Sequence, residues 1–163
     1  MVEDPRPYRP CVGVMLLNTR GHVFVGNRID MLGENWQMPQ GGIDEGETPR
    51  DAALRELEEE AGTRKAEIIA ESLEWFSYDL PEVVSRQRWG GRFRGQTQRW
   101  FVMRFIGEDR EIRLNRHKAE FSAWRWVPMG DLERLIAPLK RGVYRRVICE
   151  FSYLGEVAGD GSR

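Results

Sequence analysis

The stretch RELEEEAG at 55–62 places glutamates at Glu56, Glu58, Glu59 and Glu60. Like charges at helical neighbours repel by about 0.2–0.5 kcal/mol per pair, so the pattern is either a solvated acidic face or a site for a cation. On a wheel of about 100° per residue with Glu56 at zero, Glu59 falls at about −60° and Glu60 at about +40°. These three share one face. Glu58 falls almost opposite and reads as solvated, while Ala53, Leu54, Leu57 and Ala61 form the core-facing stripe. Two features favour the cation. The three carboxylates lie late in the helix, where the macrodipole disfavours anions. The helix also follows the glycine-rich loop PQGGIDEGE, whose backbone can approach a ligand closely. Mg²⁺ suits such a site, because it uses a few carboxylates and completes its shell with water and substrate phosphates.

The elements that must position these residues are legible around them. TPRDAALRELEEEAG reads as a helix. Thr48 is the N-cap, Pro49 takes the first helical position, Asp51 lies in the first turn with a capping-box-like spacing, and Gly62 is the stop. VGVMLLN (12–18) and HVFVGNR (22–28) read as two strands joined by a turn at Gly21. The segment 31–47 reads as loop with a short strand at Trp36 to Met38. AEIIAESLEWFSYDL (66–80) and QTQRWFVMRFI (96–106) read as strands separated by the loop RQRWGGRFRG, the second buried between two layers. SAWRWVPM (122–129) is a further short strand. A helical stretch from Asp131 breaks at Pro138, and the basic helix KRGVYRRVICEFSYL closes the fold. The order predicts one α/β (α+β) domain over 1–154, a mixed sheet with helices packed on it, and a frayed tail over 155–163.

Bulk properties exclude several classes. A chain of 163 residues with 40% hydrophobic content builds one core without staples. Cys11 and Cys149 are too few for a disulfide framework or a zinc site and suit a reducing compartment, so a cytoplasmic location is expected. The start MVEDPRPYRP has no apolar region of the secretory kind, and no apolar run approaches the roughly 18 residues of a membrane span. The net charge of −1 provides no footprint for double-stranded DNA, so any nucleic-acid contact is local. A monomer is expected.

Gly41, Glu47, Arg55-Glu56-Leu57 and Glu59-Glu60-x-Gly62 reproduce a spaced pattern: Gly, five residues, Glu, seven residues, Arg-Glu-aliphatic-x-Glu-Glu-x-Gly-aliphatic. This pattern resembles the Nudix box. Only Thr63 departs, standing at a packing position where an aliphatic residue is usual. YRPCVGVMLLN, WQMPQGGID, GQTQRWF, EFSAWRWV and KRGVYRRV extend the similarity to the branch that holds bacterial RNA pyrophosphohydrolases and asymmetric diadenosine tetraphosphate hydrolases. The resemblance implies a Nudix fold, a mixed β-sheet in an α/β/α sandwich with the box as loop–helix–loop. It also implies dependence on Mg²⁺ or Mn²⁺, more than one ion with substrate bound, and hydrolysis of a nucleoside diphosphate linked to another group.

By that match Glu56, Glu59 and Glu60 hold metal, the Gly41 carbonyl adds a ligand, and Glu120 supplies a carboxylate from outside the box. As a residue alone, Glu120 reads as a surface loop glutamate. Glu56, Glu60 and Glu120 are each candidates for the base that takes a proton from the attacking water. Arg55 is a fixed cation orienting the acidic ligands, and Glu47 braces the loop. Arg9, Arg28, Tyr78 and Lys140 match positions that contact phosphate or base, although Tyr78 also fits a half-buried strand aromatic and Arg9 an N-terminal anchor. From Val83 to Gly107 there is no acidic residue, and Arg86, Arg88, Arg92, Arg94, Arg99 and Arg104 interleave with Trp89, Phe93, Trp100 and Phe101. Charge for phosphate and a flat face for a base suit a polyphosphate end. Trp100 and Phe101 read as core, while Trp89 and Phe93 read equally as surface or interaction residues. Arg141, Arg145 and Arg146 read as solvated.

The expected substrates are 5′-triphosphate RNA or a dinucleoside polyphosphate such as diadenosine tetraphosphate. Trp89-Gly90-Gly91 is similar to the plant-type dinucleotide hydrolases, and Leu139 stands where enterobacterial RNA-processing members carry an aromatic. The alternatives are a hydrolase of free nucleotides or nucleotide sugars, and a binding module that has lost catalysis; the intact carboxylates argue against the latter.

Overall fold

Alternation along the first strand sets the layers. The computed structural model describes residues 3–160, with side chains described through residue 155. β1 (Tyr8–Leu17) sends Val12, Val14 and Leu16 to one face and Met15 and Leu17 to the other. β7 (Gly95–Phe105) runs parallel to it, from Tyr8 opposite Gly95 to Leu17 opposite Arg104. Being central, β7 is apolar on both faces. Trp100 and Val102 join one core layer and Phe101 and Met103 the other, as expected for Trp100 and Phe101.

The remaining strands complete one mixed sheet. They are β2 (Val23–Arg28), β3 (Trp36–Gln37), β4 (Gln40–Gly42), β5 (Ala66–Glu71), β6 (Phe76–Asp79) and β8 (Phe121–Val127). The main order is β3-β2-β1-β7-β5, with β4 paired to β1, β6 to β7 and β8 to β2. α1 (Pro49–Ala61) covers one face with Ala53, Leu57 and Ala61. α3 (Leu132–Leu135) and α4 (Arg141–Asp160) cover the other, where Val143, Tyr144, Val147 and Phe151 pack on Met15, Trp100 and Val102. This is the expected α/β/α sandwich. Among the described residues no helix is long and apolar enough to cross a membrane.

α1 is capped as its sequence predicts. Thr48 accepts from the Asp51 amide at 3.2 Å, and Gly62 ends the helix at φ 73° with its N–H on the Glu58 carbonyl. A side chain at Gly62 would be strained in that conformation, and its Cβ would stand 1.9 Å from the Arg113 carbonyl oxygen. Thr63, the departure from the box, is buried, and its hydroxyl accepts from the Lys65 amide at 3.0 Å. The polar atom is satisfied, so the apolar position tolerates it.

Three expectations need correction. The segment 66–80 is two strands, because the chain bends where Ser72 accepts from Trp100 N and donates to Glu74 O. The loop 31–47 contains a second short strand, β4, on β1. RQRWGGRFRG is not all loop: α2 (Glu82–Trp89) runs into it, follows Pro81 and stops at Gly90 in the left-handed region. α4 continues into the tail expected from 155 and ends at Asp160. Residues 161–163 of that tail lie outside the described residues.

Candidate active site

A cleft of about 480 Å³ opens beside α1. Glu56, Glu59 and Glu60 line it from α1, Gln40 and Gly41 from β4, and Glu120 from the approach to β8. The spacing of three and four residues brings the α1 carboxylates to one face, as the wheel predicts. They are not equivalent. Glu56 is 7% exposed and Glu60 is 2% exposed, so both sit at the edge of the core, whereas the Glu59 side chain is 46% exposed.

Arg55 organises the cluster. Its Nε and Nη2 donate to the two Glu47 oxygens at 2.8 and 2.9 Å, and Nη2 also donates to the Gly42 carbonyl at 2.8 Å. Its Nη1 donates to Glu56 at 2.8 Å and to Glu59 at 3.3 Å. One guanidinium therefore joins the loop to both carboxylates. Glu47 in turn accepts from the Asp44 amide at 3.0 Å, and its carboxyl is held down at about 2, chiefly by Arg55.

Both buried carboxylates are raised in the metal-free protein. Burial pushes Glu56 up to about 7 against the pull of Arg55, and Glu59 and Glu120 add to the rise. Glu60 is raised well above the carboxylate range by burial, by Glu120 facing it and by Glu56, although the Gln40 amide donates to it at 3.0 Å. A cation would offset this crowding and favour the ionised carboxylates. Among the described residues no three acidic, histidine or cysteine side chains already close into a metal cage. The four glutamates surround an open cleft instead. That suits a hard cation whose remaining ligands are water and phosphate oxygens. Gly41 fits the same purpose: a Cβ there would lie 2.2 Å from the Glu56 carboxyl carbon, so any side chain would displace that carboxylate or the strand.

The cleft also has a cationic wall, from Arg9, Arg28, Arg88 and Lys118. Arg28 is paired with Asp30 at 2.5 Å. Arg9 donates to Gln96 at 3.0 Å and lies 5.6 Å from the Trp89 ring centre. Tyr78 and Lys140, expected as phosphate or base contacts, are placed behind this wall. Both are buried; Gln96 donates to the Tyr78 hydroxyl, and Lys140 donates to Gln37 at 3.3 Å. Burial, then the charges of Arg28 and Arg88, lower Lys140 to about 8.

The arginine-rich segment resolves into separate roles. Arg86 pairs with Glu82, Arg94 with Asp79 and Arg99 with Glu71, whereas Arg88 faces the cleft. Trp89 packs edge-on against Phe93 at 5.6 Å. Glu58, expected to be simply solvated, pairs with Arg64 and stands 3.9 Å from His117. Gln37, Gln40 and Lys118 line the cleft without having been anticipated. Both glutamines lie in the WQMPQGGID stretch that carries the resemblance, and Lys118 lies two residues before Glu120.

Comparison with known proteins agrees with this geometry. The NUDIX domain family matches residues 7–149. The RNA pyrophosphohydrolase of Sphingopyxis alaskensis is 55% identical over 154 residues, covering 93% of this chain and 98% of that protein. The RNA pyrophosphohydrolase of Novosphingobium aromaticivorans is 58% identical over 149 residues, covering 89% and 92%. Among solved structures, the E. coli dihydroneopterin triphosphate pyrophosphohydrolase superposes with a TM-score of 0.68 at 21% identity, covering 89% of this chain and 99% of that one. A C. elegans Ap4A hydrolase superposes with a TM-score of 0.60 at 14% identity, covering 87% and 98%. At these identities the structural likeness speaks for the fold alone.

Proposed function

The chain belongs to the Nudix family, and from that premise we propose that it is an RNA pyrophosphohydrolase, removing pyrophosphate from 5′-triphosphorylated RNA. The observation that carries this reading is one cleft with four glutamates beside a cationic wall. Relatives at 55% and 58% identity named RNA pyrophosphohydrolase support the RNA end as substrate.

Glu56, Glu59, Glu60 and Glu120, with the Gly41 carbonyl, would hold Mg²⁺ or Mn²⁺. Such ions, when bound, neutralise phosphate charge and make a coordinated water more acidic. Arg55 keeps Glu56 and Glu59 oriented while Glu47 keeps Arg55 in place. Arg9 and Arg28 bind phosphate oxygens from the other wall, and Lys140 adds positive charge from beneath. Water attacks phosphorus in line with the leaving pyrophosphate. The water proton goes to a carboxylate of the Glu56, Glu60 and Glu120 cluster.

Diadenosine tetraphosphate would present the same polyphosphate to the same walls and yield ATP and AMP. The test is a side-by-side comparison with Mg²⁺ of 5′-triphosphate RNA, diadenosine tetraphosphate and a free nucleoside triphosphate. The expected kcat/KM is highest for the RNA. A clear preference for the free nucleotide would overturn the assignment in favour of a nucleotide-cleaning hydrolase.

A further inference from the structure

Arg88 stands apart from the other arginines of the cleft. Arg28 is neutralised by Asp30, and Arg9 is tied to Gln96 and Trp89. Arg88 is exposed, and among the described residues no hydrogen bond or ion pair engages it, while its neighbours Arg86 and Arg94 are both paired. Its place is fixed from below. Ser85, buried on the same helix, donates to the Phe93 carbonyl, and Trp89 packs between Phe93 and Arg9. α2 is otherwise a polar helix with little to bury, yet it is anchored so that its last turn reaches the cleft.

The charge of Arg88 is felt by its surroundings. With Arg28 it acts, after burial, to lower Lys140. Arg28, Arg88 and Lys140 thus gather three cations around one region, where Asp30 pairs with Arg28 and also lies within reach of the charge of Arg88. Like charges gathered in excess of their counter-ion repel, and an anion between them relieves that repulsion. An arginine with a free fork is suited to phosphate oxygens. The plain alternative is a solvated arginine favouring a helix C-terminus, which adds a little stability and moves no substrate affinity.

We propose that Arg88 is a substrate-binding residue, donating directly to the polyphosphate from the cationic wall of the cleft. This rests on the polyphosphate-end reading given above. Arg88 contributes to holding the substrate and takes no proton, so its loss acts on KM.

The test uses the full chain with Mg²⁺ and 5′-triphosphate RNA, comparing the wild type with Arg88→Gln and Arg88→Lys. Arg88→Gln raises KM by about tenfold, the effect of losing one charge-assisted hydrogen bond. Its kcat stays within about twofold, its Tm is unchanged, and Arg88→Lys recovers part of the affinity. An unchanged KM, or a fall in kcat alone, overturns the proposal. A second measurement separates this proposal from the reading beneath it. Inorganic tripolyphosphate binding to wild type and Arg88→Gln is followed by calorimetry. If the wild type releases no pyrophosphate from RNA, the RNA reading fails. Arg88 then still stands if Arg88→Gln weakens tripolyphosphate binding by about tenfold, and falls if binding is equal.

Discussion

Replacing Glu56 by Gln is expected to stabilise the metal-free protein while abolishing turnover. Burial lifts the Glu56 carboxyl from 4.5 to about 7, with the opposing pull of Arg55 already included. In the folded protein this group therefore binds a proton more readily than in the unfolded chain. Its contribution is fully present below pH 4.5 and is lost as the pH rises through 7. At about 1.4 kcal/mol per unit, the ionised group costs the fold about 3 kcal/mol above pH 8. Gln mimics the neutral form and escapes that cost. For a domain of this size, roughly 2–4 °C per kcal/mol gives a rise in Tm of roughly 6–12 °C. The assay is thermal unfolding at pH 8 with EDTA, repeated near pH 4, where the two proteins converge. Adding Mg²⁺ narrows or reverses the difference, because binding to the folded state stabilises the wild type. A variant that melts at or below the wild type in EDTA at pH 8 would refute the argument that these carboxylates are held at a cost to the fold.

Two further substitutions probe the arrangement. Gly41→Ala places a methyl 2.2 Å from the Glu56 carboxyl carbon, so Glu56 or β4 must move. Turnover with Mg²⁺ falls by about 10–100-fold while far-ultraviolet circular dichroism stays native, as for displaced support around a metal site. Glu58→Gln removes only the pairing with Arg64 and His117, outside the cleft. Its kcat stays within about twofold and its unfolding free energy falls by no more than about 1 kcal/mol.

The capped helix and its three aligned glutamates were legible because both rest on local spacing. Thr48, Pro49 and Gly62 act on their immediate neighbours, and positions three and four apart share a face whatever surrounds them. The same holds for β1 and β7, whose apolar alternation sorts directly into two core layers. What could not be read depends on contacts between distant segments. The wheel placed Glu56 and Glu60 beside the core stripe but could not show that β4 closes over them. α2 was hidden because, apart from Val84 and Trp89, its residues are mostly exposed polar ones, leaving little apolar periodicity. Of six arginines in one acid-free segment, Arg88 alone reaches the cleft among the described residues. That choice is made by Glu71, Asp79 and Glu82, which pair with three of the others. Tyr78 and Lys140 lie behind the wall for the same reason, since β6 packs against α4.

The central claim is that the carboxylates on α1 carry metal-dependent attack on a polyphosphate end. Its most direct measurement is pyrophosphate release from 5′-triphosphate RNA at saturating Mg²⁺, for the wild type and Glu60→Gln in parallel. The wild type is predicted to yield pyrophosphate and 5′-monophosphate RNA and to stop when EDTA is added, while the folded Glu60→Gln variant loses at least about a hundredfold in rate. Turnover of that variant within about threefold of the wild type, or release that persists in EDTA, would contradict the account.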